Sequence, residues 1–145
     1  MAGPPPAASD ADRQRIAALA LAQKTDAGLA SDQRTDKPLP ALDGKARKAE
    51  AWLVPGTPAR PRKIVVTAAD ERGGSESTEL YYNNDGLLQL ARAADGLFVF
   101  DQESLAVWLD LEQKVKRGLH PSLTKVRVDA IMAEHRLALM TFGLR

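Results

Sequence analysis

The chain has 145 residues, of which 44% are hydrophobic and 27% charged, with a net charge of +1 and no cysteine. That length suits one domain able to bury a core without a metal or disulfide staple. The lack of cysteine excludes a disulfide framework, a thiolate zinc site, an iron–sulfur cluster and a cysteine nucleophile.

Residue usage rich in Ala, Leu and Arg suggests a bacterial, GC-rich source. No stretch approaches 18 uncharged apolar residues, so no membrane span is expected. Residues 1–8 (Met1-Ala2-Gly3-Pro4-Pro5-Pro6-Ala7-Ala8) have neither a basic n-region nor an apolar h-region, and are expected to be disordered. A cytoplasmic chain with a frayed start and the mature part of an exported chain both fit this. The Pro/Ala-rich start favours the periplasm or the cell exterior.

Charge is unevenly spread. Residues 45–63 carry six bases against Glu50 alone, whereas residues 64–112 carry only Arg72 and Arg92 against ten acids. A near-neutral total does not make the concentrated basic footprint of a nucleic-acid binder, so no nucleic-acid partner is expected.

Taken in chain order, Ser9-Asp10-Ala11-Asp12 reads as a helix start: a Ser N-cap, with acids in the first turn. Ile16, Leu19 and Ala20 give that helix its apolar stripe, and Ala27-Gly28 its stop. Residues 31–44, with Pro38 and Pro40, read as a linker, so 9–44 is assigned to helix plus linker and 45–145 to a single sheet-plus-helix domain.

Ala49–Val54 reads as a first strand and Lys63–Ala69 as an inner one, β-branched and apolar on both faces. Asn84-Asp85-Gly86 between Leu80–Asn83 and Leu87–Leu90 predicts a bulged hairpin. Asn84 and Asp85 form a type I turn and Gly86 is left-handed. Leu80, Tyr82, Leu88 and Leu90 then share one face.

Shifted by 18 residues, this segment overlays the next: Leu80, Tyr82 and Leu90 fall on Phe98, Phe100 and Trp108. The overlay predicts a second hairpin, Leu97–Phe100 to Leu105–Leu109, over the alternative of a helix at 104–117. After Pro121, Leu123, Val126, Ala130, Leu137 and Met140 recur at helical spacing, with Val128, Ile131 and Phe142 beside them, predicting a long C-terminal helix with a wide apolar face. The fold class is therefore α+β: an antiparallel meander of about five to six strands flanked by two helices.

No catalytic constellation stands out. There is no Gly-x-Ser-x-Gly elbow and no phosphate-binding loop. His120 and His135 are the only histidines; the first precedes a proline, and the second reads as a boundary residue of the helix. No metal site, catalytic residue or cofactor is assigned.

The expected function is non-enzymatic: a protein-binding module of the bacterial envelope, of which an inhibitor or immunity protein is one kind. A basic protein would dock on the acidic loop residues Asp85, Asp101 and Glu103, with Tyr81 or Trp52 as apolar anchor. Two alternatives are a carrier of small apolar ligands, held between the C-terminal helix and the sheet, and a hydrolase using loop carboxylates.

Overall fold

The computed structural model describes residues 10–29, 34–42, 44–56, 59–69 and 72–144. The segment 1–8, the Ser9 cap and the Asp70-Glu71 pair lie outside the described residues. Helices α1 (Asp10–Gly28) and α2 (Pro121–Thr141) bracket seven strands: β1 (Arg34–Leu42), β2 (Lys45–Val54), β3 (Arg60–Ala69), β4 (Ser75–Tyr82), β5 (Leu88–Ala93), β6 (Gly96–Asp101) and β7 (Ser104–Leu109). All seven pair antiparallel in sequence order, so the chain is an α+β meander with one strand more than the upper expectation.

The added strand is β1, which occupies the segment read as a linker and pairs with β2 from Arg34↔Trp52 to Leu42↔Lys45. It survives its two prolines because it is an edge. An edge strand needs donors on one side only, and prolines two residues apart put both missing N–H groups on the same side. The prolines and Lys37 also blunt the edge against further strand addition.

The helices cover opposite faces of the sheet. Under α2 lie Ala49, Ala51, Ile64, Val66, Leu80, Tyr82, Phe98, Phe100 and Trp108, closed by Ile131, Met132 and Ala138. Under α1 lie Tyr81, Leu90, Leu97, Val99 and Leu109, closed by Ala18 and Ala22.

Each helix buries part of its expected stripe, Leu19 on α1 and Val128, Ile131, Leu137 and the C-cap Phe142 on α2, and departs from it elsewhere. On α1, Ile16 is 60% exposed while Ala18, Ala22 and Thr25 are buried. On α2, Leu123, Val126 and Met140 are exposed, and Ile131, Met132, His135 and Ala138 face inward. At mixed spacings, several apolar residues fit more than one face, and the sheet selects among them.

Asn83 heads the first hairpin turn. Its carbonyl accepts from Gly86 N (3.0 Å), and its Oδ1 accepts from Asp85 N (2.9 Å) and Leu87 N (3.0 Å). Gly86 is left-handed at φ +79°, so the bulged turn is as expected. A second irregularity at Gln89 was not. Tyr81 pairs with Leu90 but Tyr82 with Leu88, and this slip sends Leu90 to the α1 face, away from Leu80, Tyr82 and Leu88.

The second hairpin repeats the slip, with Val99↔Val107 followed by Phe100↔Leu105. Its two-residue loop has Gln102 (φ 48°) and Glu103 (φ 67°) both left-handed. That loop is one residue shorter than the first, so the structural counterpart of Trp108 is Ala91 rather than Leu90: Leu80 pairs with Ala91 as Phe98 pairs with Trp108. Strand at Ser104–Leu109 replaces the helical alternative. The chain then turns at Asp110 and returns through a Leu109↔Val115 bridge.

Candidate functional site

Between α1 and the mouth of the β2–β3–β4–β5 region lies a solvent-open cleft of about 860 Å³. It exists because α1 lies across β4–β7 and approaches the sheet on alanines. Short side chains bring the helix close there and leave the ends of β2 and β3 uncovered. Ala17, Ala20 and Leu21 of α1 form one wall, with Val54 and Pro61 from β2 and β3 opposite. Lys24, Arg60 and Arg62 supply three cations, Asn83, Asn84 and Gln89 supply amides, and among the described residues no carboxylate lines the space. The Arg60 guanidinium is steadied by donating to the Asn84 carbonyl at 2.6 Å. Among the described residues, Lys24 and Arg62 form no ion pair.

A partly buried polar knot beside the cleft ties the helix to the sheet. Lys63 on β3 is 8% exposed and donates to Asp26 Oδ1 at 2.7 Å. The Tyr81 hydroxyl lies within hydrogen-bond reach of Asp26 Oδ2 (2.8 Å) and Glu79 Oε2 (2.7 Å), and Arg92 approaches Glu79 at 3.5 Å. Burial, then these acidic partners, push the Tyr81 phenol well above its ordinary range, so it is a neutral donor at any physiological pH. The Lys63 ammonium also sits 4.8 Å from the centre of the Tyr81 ring.

On the other face, the buried Tyr82 hydroxyl is 2.9 Å from His135 Nδ1, and His135 Nε2 is 3.9 Å from Glu103 Oε1. His135 is 2% exposed, which corrects its reading as a boundary residue. Desolvation lowers its pKa; the Glu103 carboxylate opposes the shift, and Arg136 adds to it. Elsewhere, Arg127 grips Asp95 through two hydrogen bonds, and Trp108 Nε1 donates to the Asp95 carbonyl at 3.2 Å. His120 caps α2, its Nδ1 accepting from Ser122 N.

The residues singled out from sequence are scattered. Tyr81 is fully buried beneath α1 with its hydroxyl engaged, so it offers no surface to a partner. Trp52 is half-buried on β2, with the Lys63 ammonium 5.8 Å from its ring centre. Asp85, Asp101 and Glu103 are exposed on the β4–β5 and β6–β7 turns, two loops at the same end of the sheet. The expected carrier cleft under α2 is occupied by packed side chains, Ile131, Met132, His135 and Ala138 among them. The cleft lies instead under α1.

Sequence reasoning passed over Lys24, Arg60 and Arg62. The available signal was the basic block at 45–63, which places two of the three on one strand start. Among the described residues, no group of three or more His, Asp or Glu is placed to hold a metal ion, and no helix is long and apolar enough to cross a membrane. No protein family, curated protein or solved structure matches this chain.

Proposed function

We propose that this chain is a non-enzymatic binding module whose recognition site is the cleft between α1 and the ends of β2–β5, and whose ligand carries negative charge. The observation that carries this reading is the lining: three cations and three amides around aliphatic walls, with no carboxylate among the described residues. A concave, mostly apolar space of several hundred Å³ with a few polar groups at its rim is the usual form of a small-molecule site. Lys24 and Arg62, without ion pairs among the described residues, add attraction for an anion.

Thermal unfolding tests this directly. A ligand at a hundred times its Kd stabilises by about 2.7 kcal/mol, a shift of several degrees for a domain of this size. An anionic compound should raise the Tm of the parent chain and not that of a Lys24→Gln/Arg60→Gln/Arg62→Gln variant. Stabilisation by cations alone, or equal shifts in the variant, would contradict the proposal.

A second reading has its own support, the exposed Asp85, Asp101 and Glu103 at one end of the sheet. Here a basic protein docks on these turns, with Trp52 as the remaining apolar anchor, in the manner of an envelope inhibitor or immunity protein. Asp101→Asn with Glu103→Gln should then slow association and weaken its salt dependence. An on-rate indifferent to both would sink this reading.

A further inference from the structure

We infer that the cleft takes a single-chain amphiphile with an oxyanion head, carboxylate or phosphate, its chain lying between α1 and the sheet. The inference rests on the reading of the cleft as the recognition site and narrows its ligand class. A small polar anion would use only the cations. It would leave Ala17, Ala20, Leu21 and Val54 facing water. An aliphatic chain covers that surface, and hydrophobic burial then contributes in proportion to chain length.

The head has a defined place. Arg62 and Lys24 stand on the two walls, one on β3 and one on α1, without ion pairs among the described residues. An oxyanion between them is charge-complementary, and the Arg fork suits either carboxylate or phosphate geometry. Among the described residues, the neighbouring carboxylates are engaged by other partners. Asp26 is engaged by Lys63 and Tyr81, and Glu79 by Tyr81, Lys63 and Arg92. The α1 wall needs no opening to admit the chain, because the cleft is open to solvent.

Isothermal titration of the full chain with octanoate, decanoate, dodecanoate, dodecyl phosphate and dodecanol, each below its micellar concentration, tests the idea. Each added methylene should strengthen binding up to about fourfold. Dodecanoate or dodecyl phosphate should bind at least about tenfold more tightly than dodecanol, and the tighter of the two identifies the head. Lys24→Gln/Arg62→Gln should lose at least about tenfold for both while leaving dodecanol unchanged. Ala20→Trp, which fills the α1 wall, should abolish binding of every chain with the circular dichroism spectrum intact.

Affinity independent of chain length, or undiminished in the double variant, overturns the amphiphile. Citrate included in the same series separates the two levels. If citrate binds and is lost in the double variant while chain length has no effect, the anion site stands and the amphiphile does not. If no probe binds, both fail.

Discussion

The Lys63 ammonium donates to the Asp26 carboxylate at 2.7 Å across 37 residues of sequence, and through that bond the end of α1 is pinned beside the cleft it walls. The helix's apolar contact with the sheet is otherwise made by Ala18, Ala22 and the partly buried Leu19, a small area. Polar contacts therefore hold a large share of its position. Tyr81→Phe removes the hydroxyl shared by Asp26 and Glu79 and leaves the ring in place. It should cost about 1.5–3 kcal/mol, as expected for hydrogen bonds to charged groups. Amide hydrogen exchange should accelerate in α1 more than in α2. Uniform acceleration would show that the knot does not act on the helix.

Two glycines test the hairpin geometry at different magnitudes. A Cβ on Gly86 would meet nothing closer than 3.7 Å, so Gly86→Ala should cost about 1 kcal/mol, from the left-handed backbone alone. Gly96 has φ +138°, and a Cβ there would lie 2.2 Å from the Leu109 carbonyl and 2.7 Å from Trp108 Nε1. Gly96→Ala should therefore cost about 3 kcal/mol or more, and should disturb the Trp108 environment. Equal urea midpoints for the two variants would contradict this placement of β6 against β7.

Asp110 heads a turn bonded as Asn83 heads its own: its carbonyl accepts from Gln113 N, and its Oδ1 from Glu112 N and Lys114 N. Where the first turn has Gly86, this one has Gln113 at φ 70°. A side chain in that region costs about 1–2 kcal/mol, part of which glycine returns through its greater unfolded-state entropy. Gln113→Gly should stabilise by about 0.5–1 kcal/mol. A destabilised variant would mean that the Gln113 side chain contributes more than its backbone costs.

Acid should expose His135. Its folded-state pKa lies below the unfolded value, so below about pH 6.5 the unfolded chain takes up a proton that the folded chain refuses. Its contribution is therefore complete above that pH and is lost as pH falls through the folded pKa. Glu134 works in the opposite direction, because burial raises its pKa and protonation suits its folded environment. The readout is therefore the difference between the parent and His135→Gln, which keeps a hydrogen-bonding group for Tyr82 but cannot titrate. Between pH 7 and 5 the parent should lose stability relative to the variant. Parallel curves would place no titration at His135.

Signals in the sequence reached some parts of this fold and not others. Asn84-Asp85-Gly86 specified its turn because the chemistry is local, a left-handed glycine after two turn-forming residues. Residues 34–42 hid a strand because proline is read as a breaker, while an edge position tolerates it. Leu90 was assigned to the wrong face by a one-residue slip at Gln89, a feature that alternation alone does not reveal. Tyr81 and Tyr82 look equivalent in sequence. Which of them meets Asp26 and which meets His135 depends on helices 55 and 53 residues away. The cleft was invisible for the same reason: Lys24 and Arg62 belong to different elements and line one cleft only when α1 crosses the sheet.

The central claim is that the α1–sheet cleft is where this chain meets its ligand. Amide chemical-shift mapping with dodecanoate tests it most directly, residue by residue and without mutation. The perturbed amides should cluster at Ala20, Leu21, Lys24, Thr25, Val54, Arg62 and Gln89, with Met132 and Ala138 of α2 unmoved. Shifts confined to the Asp85 and Asp101–Glu103 turns, to the α2 face, or to no residue at all would contradict the account.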